Sequence, residues 1–355
     1  MSLSEREWND SAVPDIFRNI QRGKRLKNAD HVPGMVPYVS STALNNGVDD
    51  YIEATHGTRV FSDCISLANS GSVGTAFYEP FEYVASDHVT SLKCEHADKH
   101  SYLFLASVLE KQGVNFNFNR EINDARVRHM RVMLPVNDGG NPDWDYMSSF
   151  AESMRGGLLM RYKNYVARRL SELEYKEIPA VDEVEWNEFT IEDLFTILPG
   201  KRLEKRNMNT GDRPFIGASD SNNGVTAFMS NTNESLDRNV LGINYNGSVC
   251  EAFYHPYECV FSDDVKRLHL KDIDDNEFVL LFMGMAIRQQ KNKYEYAYKF
   301  NEQRMRRQKI MLPSAVDGKP DYAYMEQYSR NMMLRKYQQY LRYVGRDSAE
   351  ATKNE

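Results

Sequence analysis

Basic side chains gather twice along this 355-residue chain, at matching places. Arg288 to Lys309 carries Arg288, Lys291, Lys293, Lys299, Arg304, Arg306, Arg307 and Lys309 against only Glu295 and Glu302. Lys111 to Arg131 carries Lys111, Arg120, Arg126, Arg128 and Arg131 against Glu121 and Asp124. Closely spaced guanidinium and ammonium groups suit a polyanion such as a nucleic-acid backbone. The formal net charge is −7, which argues against a generic binder driven by charge and leaves a local field as the operative quantity. A single run of this kind is usually a solvated face. Its return in the same relative position makes it a candidate site.

Other residue sets imitate catalytic chemistry and fail on spacing. Asn141-Pro142-Asp143-Trp144 looks like the Asn-Pro-Pro-aromatic motif of adenine methyltransferases. Its third residue is wrong, and the second copy, Lys319-Pro320-Asp321-Tyr322, loses the Asn. No glycine-rich strand-turn for S-adenosylmethionine accompanies it. Asp143 with Glu174-x-Lys176 imitates a nuclease metal site, but at about 1.5 Å rise per residue these groups sit at opposite ends of one helix. Neither GxSxG nor a P-loop occurs. Cys64, Cys94, Cys250 and Cys259 form no CxxC and do not match between copies, so a duplicated metal site is not expected. They read as reduced thiols of a cytoplasmic protein. No catalytic residue and no metal ligand is assigned, and the chain is read as non-enzymatic.

The elements that must position the basic residues come in duplicate. Glu7-Trp8 returns as Glu185-Trp186, Gly23-Lys24-Arg25-Leu26 as Gly200-Lys201-Arg202-Leu203, and Asn45-Asn46-Gly47-Val48 as Asn222-Asn223-Gly224-Val225. Gly71-Ser72-Val73 returns as Gly247-Ser248-Val249, and Met133-Leu134-Pro135 as Met311-Leu312-Pro313. A repeat this long is a domain with its own core, not a solenoid unit. Each copy is expected to open on a Trp and an amphipathic segment, Val13 to Ile20 or Phe189 to Leu198. Strands should follow at Met35 to Ser40 and Pro214 to Ala218, then an Asn-Asn-Gly tight turn. A hairpin around Gly-Ser comes next, then an apolar helix, Tyr102 to Leu109 or Phe278 to Ile287. A strand ending in Pro closes the copy. Beyond Pro142-Asp143 and Pro320-Asp321, proline-free stretches predict two long helices. Met154, Leu158, Tyr162, Tyr165 and Arg169 mark one face of the first. Met325, Tyr328, Met332, Arg335 and Tyr337 mark the second.

The order domain, helix, domain, helix, with GKRL, NNGV, a Gly-Ser turn and a terminal MLP in each half, resembles the specificity (S) subunits of type I restriction-modification systems. The short forms in type IIB systems are the most similar. The resemblance covers about residues 7 to 345 and implies an α+β chain of two homologous target-recognition domains, each followed by a long helix, the helices packing antiparallel. It places the first domain at 1–142, its spacer helix at 143–178, linker and second domain at 179–320, the second helix at 321–345 and a disordered tail at 346–355. In that family each domain reads half of a bipartite site on double-stranded DNA. The helices set the gap and dock two modification (methyltransferase) subunits, in some systems fused to a nuclease. S-adenosylmethionine and Mg²⁺, and ATP in type I systems, belong to those partners. Type I members usually have longer helices, which implies a shorter gap here.

The resemblance turns the internal repeat into a sorting rule. Basic residues shared by both copies, Lys24, Arg25, Arg126, Arg128, Lys201, Arg202, Arg304 and Arg306, are assigned to phosphates. Residues that differ within a shared motif are candidates for base edges: Ser41, Thr42, Asn69 and Ser70 in one copy, Ser219, Tyr245 and Asn246 in the other. Asn46 and Asn223 join them, although turn geometry alone accounts for both. Asn123 and Asn301 recur just before the basic stretch, where base contact and helix capping are both open to them. A second reading, motivated by the net charge, is an inhibitor or decoy of such systems, acting as a DNA mimic or an assembly competitor. A free-standing enzyme is the third, and it lacks a catalytic cluster.

Overall fold

A computed structural model describes residues 2–55, 57–117, 119–294 and 298–351. The chain divides into two compact units, Met1–Tyr162 and Lys163–Glu355.

The first unit holds two four-stranded sheets. One runs in the order Asn19–Arg22, Val89–Lys93, Cys64–Ala68, Ala76–Glu79, antiparallel throughout. All five residues of Cys64–Ala68 are buried, as befits a strand covered on both faces. The other sheet runs Val48–Ile52, Pro33–Val39, Tyr83–Ala85, Val60–Phe61, with its two middle strands parallel. A two-stranded ribbon pairs Trp8–Ala12 with Arg131–Pro135, Trp8 opposite Pro135. Helix α1 (Lys99–Gln112) starts where the Asp98 carboxylate accepts the Ser101 N–H. It buries Tyr102, Leu105 and Leu109 against Phe17, Ile65, Leu67 and Leu92. Each such side chain contributes about 1.5–3 kcal/mol. The short α2 (Asp124–His129) is capped by Asn123. The long α3 (Trp144–Glu172) buries Met147 in the same core.

The second unit repeats this topology. Its sheets run Phe195–Pro199, Val265–Leu270, Val240–Asn244, Ala252–His255 and Val225–Met229, Thr210–Ile216, Cys259–Phe261, Leu236–Asp237. Trp186–Thr190 pairs with Lys309–Pro313. Helix α4 (Glu277–Arg288) is capped by Asn276, α5 (Glu302–Arg307) by Asn301, and α6 (Tyr322–Ala351) buries Met325. Within this unit the end of α3 runs antiparallel to α6. The Tyr165 and Tyr337 hydroxyls lie 3.3 Å apart, Arg169 reaches Met333, and Arg330 donates to the Glu172 carbonyl. Asn331 then pins the departing chain, accepting from Lys176 N–H and donating to Lys176 O.

Several expectations change. The opening segments are not single amphipathic elements. Each is a one-turn helix, Val13–Ile16 or Ile191–Leu194, followed by a strand. Helix α3 ends at Glu172 instead of 178. Helix α6 continues past 345 to Ala351, so the expected tail is helical that far, and 352–355 lie outside the described residues. Met154 and Leu158 are 52% and 55% exposed, so they do not form a buried seam. Near the end of α3 the covered face belongs to Val166 and Leu173, which lie two turns apart. The segment before Trp186 is no loose linker. Trp186 Nε1–H donates to Val181 O and the Tyr324 hydroxyl to Pro179 O, as Trp8 does to Leu3 O and Tyr146 to Ser2 O in the first unit.

Candidate nucleic-acid interface

In the GKRL turn, glycine and leucine serve the fold and leave the two cations outside. The turn crosses between sheets: Gly23 N–H donates to Val89 O and Lys24 N–H to Ala85 O, as Gly200 does to Val265 O and Lys201 to Phe261 O. A Cβ on Gly23 would overlap the Ser86 carbonyl oxygen, and one on Gly200 that of Ser262. Leu26 and Leu203 pack into small apolar clusters. Lys24, Arg25, Lys201 and Arg202 all remain exposed. Lys201 meets Glu234 at 3.2 Å, a surface pair that a stronger anion displaces at little cost.

The loops that follow gather at one end of each unit. Asn45, Asn46, Asn222 and Asn223 take φ of 50°, 54°, 52° and 54°, the left-handed region that Asn tolerates. Beside these turns, Ser41 O accepts from Ser72 N–H and Ala218 O from Ser248 N–H, so each Asn-Asn-Gly approach rests on the Gly-Ser turn of its own copy. Thr42 caps its loop by accepting from Leu44 N–H, and Ser219 does so from Ser221 N–H. Ser219 O also receives the Asn244 side-chain amide. Asn69 N–H donates to His88 O, and Asn69 O accepts from Ile122 N–H, which brings the segment before α2 to the same end.

Three assignments are corrected by this geometry. Asn69 is 1% exposed and its amide oxygen accepts from Thr90, so it cannot reach a base edge. Ser70 is 6% exposed and hydrogen-bonds His88 Nδ1 at 2.6 Å. Arg306 spends its guanidinium on Glu302 (2.9 Å) and Glu192 (3.1 Å), and these acids hold its pKa up. The matched pair Arg126 and Arg304 has a shared internal duty as well: Arg126 donates to Glu121 O and Arg304 to Lys299 O. Arg128 donates to Ile20 O at 3.4 Å. Tyr245 and Asn246 are partly exposed. Lys266 Nζ lies 5.5 Å over the Tyr245 ring, burial followed by Asp264 raises the phenol pKa, and Asn246 donates to Asp264 at 2.8 Å.

The sequence reading named the basic stretch but not the cup it builds in the second unit. Lys293, Arg304, Arg307 and Lys309 line a polar cavity of about 530 Å³ together with Tyr294 and Tyr298. Arg304 stacks 3.7 Å over the Tyr298 ring, a cation–π contact, while its Nη1 donates to Lys299 O. The alternation of tyrosines with cations in this run was the available signal. Glu295, counted against the run, lies outside the described residues. All four cysteines are free and buried, and burial pushes the Cys250 and Cys259 thiols up to about 12. Among the described residues, no group of three or more His, Cys, Asp or Glu is placed to hold a metal ion, and no helix is long and apolar enough to cross a membrane.

Each unit thus carries, on a duplicated scaffold, a loop end with an exposed cationic turn, as expected of a nucleic-acid reader in two copies. Comparison with known proteins agrees. The family model for the type I restriction modification DNA specificity domain matches residues 5–156 and again 183–340. The type II restriction enzyme specificity subunit S.BcgI of Heyndrickxia coagulans is 39% identical over 330 residues, covering 92% of this chain and 94% of that one. A type I restriction-modification S subunit from M. genitalium overlays with a TM-score of 0.44 at 14% identity, covering 99% of this chain and 95% of the other. The HsdS subunit from Thermoanaerobacter tengcongensis overlays at 0.33 and 12%, covering 96% and 91%. The family model and the bacterial relative are sufficient by themselves. The chain belongs to the type I restriction-modification DNA specificity domain family, and it is a specificity subunit of a restriction-modification system. The inhibitor reading finds no support in these matches.

Proposed function

We propose that this chain reads a bipartite, asymmetric site on double-stranded DNA, one unit per half-site. It does no chemistry itself and docks two modification subunits that supply S-adenosylmethionine and Mg²⁺, with ATP if the system is of type I, in the cytoplasm. The observation that carries this reading is the contrast within the duplicated loop end. Lys24-Arg25 and Lys201-Arg202 are shared and exposed, as phosphate contacts require. Ser41 and Thr42 differ from Ala218 and Ser219 on the same turn. Two half-sites of different sequence call for that pattern. After the corrections, the base-contact set is Ser41, Thr42, Asn46, Ser219, Asn223, Tyr245 and Asn246. The phosphate set is Lys24, Arg25, Lys201 and Arg202, with Arg126, Arg128 and Arg304 in support. The test is a random-library DNA selection on the chain co-purified with its partner subunits. Two short blocks at a fixed gap are expected. A stable protein complex that enriches no sequence would sink the reading.

A further inference from the structure

In each unit the Gly-Ser turn is tied to the C-terminal end of the helix behind it, and the two ties use opposite chemistry. The turns themselves superpose bond for bond. Thr75 N–H donates to Ser72 O and Glu251 N–H to Ser248 O, while Ala68 N–H donates to Thr75 O and Asn244 N–H to Glu251 O. Thr75 and Glu251 are therefore the same position. Counting from the caps Asp98 and Asn276, Glu110 of α1 matches Arg288 of α4, and Gly113 matches Lys291. In the second unit the acid is on the turn. Glu251 is 3% exposed, with Oε1 2.6 Å from Lys291 Nζ and Oε2 2.9 Å from Arg288 as an ion pair. In the first unit the acid is on the helix. Glu110 accepts from Ala76 N–H at 3.5 Å, and Gly74 packs so closely on Gly113 that a Cβ on Gly74 would overlap the Gly113 Cα.

We infer that Glu251, Arg288 and Lys291 are positioning residues that set where the second unit's reading loops stand, and that each turn is matched only to its own helix end. The path is short. Glu251 closes the turn 244–251, the turn carries Ala218 through Ser248 N–H, and the Asn244 side chain carries Ser219. Cys250 in the same turn sits at φ 64°, a strained conformation for a side-chain-bearing residue that the anchored neighbours hold in place. A buried carboxylate left without cations is costly, whereas removing acid and cations together costs little. The position of Ser219, Tyr245 and Asn246 should follow that balance.

This inference rests on the DNA-reading function proposed above, and the experiment separates the two. Half-site preference is measured by library selection on the full chain with its partner subunits, for wild type, Arg288→Met with Lys291→Met, and the triple variant that adds Glu251→Gln. Stripping the cations alone should reduce discrimination at one half-site about tenfold, with the other half-site intact. The triple variant should recover most of it. Equal loss at both half-sites, no loss in the cation-stripped variant, or a triple variant no better than it would overturn the inference. A wild-type complex with no preference at all would instead overturn the function on which it rests.

Discussion

One position makes the two units respond to pH in opposite directions. Glu79 and His255 occupy the same place at the end of matched strands, and both are fully buried. Glu79 Oε1 accepts from Ser66 at 2.9 Å, while its Oε2 has no hydrogen-bond partner among the described residues. Burial pushes this carboxyl up to about 7 against the Ser66 hydrogen bond, which lowers it. Its folded pKa lies above its ordinary value of 4.5, so its contribution is fully present below pH 4.5 and declines as pH rises to about 7. At about 1.36 kcal/mol per pKa unit, the first unit loses about 3 kcal/mol across that window. His255 packs its ring 5.3 Å from Phe261, and burial lowers its pKa from 6.5 to about 4. It contributes fully above pH 6.5, and a similar amount is lost as pH falls towards 4. Tryptophan positions separate the units: a Trp186→Phe chain reports on Trp8 and Trp144, and a Trp8→Phe, Trp144→Phe chain reports on Trp186. Urea unfolding of both reporters from pH 4.5 to 6.5, below the range in which His269 loses its proton, should give slopes of opposite sign. Glu79→Gln should flatten the first and make that unit more stable than wild type at pH 8 by up to about 3 kcal/mol. A Glu79→Gln chain with the wild-type slope, or two reporters with slopes of the same sign, would refute the reasoning.

Three further outcomes are expected. Lys201→Ala with Arg202→Ala should weaken DNA binding evenly across sequences and flatten the salt dependence of log K by roughly two; a change of preferred bases would contradict the phosphate assignment. Gly200→Ala should cost the second unit about 3 kcal/mol or more, because the added Cβ meets the Ser262 backbone oxygen and not a mobile side chain; a urea midpoint close to wild type would show that the turn yields. His269 hydrogen-bonds Asp237 and Asp275, which raise its pKa to about 9. Its stabilisation should be complete below pH 6.5 and vanish as pH rises through about 9, so His269→Asn should remove that alkaline loss from the second unit's unfolding curve.

Short-range chemistry was readable from the sequence, and long-range partnership was not. Asn-Asn-Gly gave its turns away because only a few residues tolerate positive φ, and the structure puts Asn46 and Asn223 there. Asn123 and Asn301, open between capping and base contact in the sequence, are caps in the structure. The ribbon between Trp8–Ala12 and Arg131–Pro135 leaves no local mark, so Val13 to Ile20 was read as one amphipathic element when it is a hinge between two sheets. Comparing copies found the shared cations but not what they touch. Arg126 and Arg304 recur partly because each staples its own loop carbonyl. Asn69 differs from Tyr245 because its copy buries the position, not because it reads a different base.

The closing ribbons also bear on how the chain is made. The first unit cannot finish until Arg131–Pro135 has left the ribosome to meet Trp8–Ala12. At about 5–20 residues per second, Pro135 follows its partner Trp8 by roughly 6 to 25 seconds. The look-alike strand Trp186–Thr190, which pairs with Lys309–Pro313 in the finished protein, does not yet exist at that moment. Order of synthesis thus removes a competitor that the duplication creates. A chain diluted from denaturant meets both tryptophan strands at once, and domain-swapped pairings become its characteristic failure. For a tandem duplicate whose halves each close on a distant stem, birth from one end is itself a folding instruction.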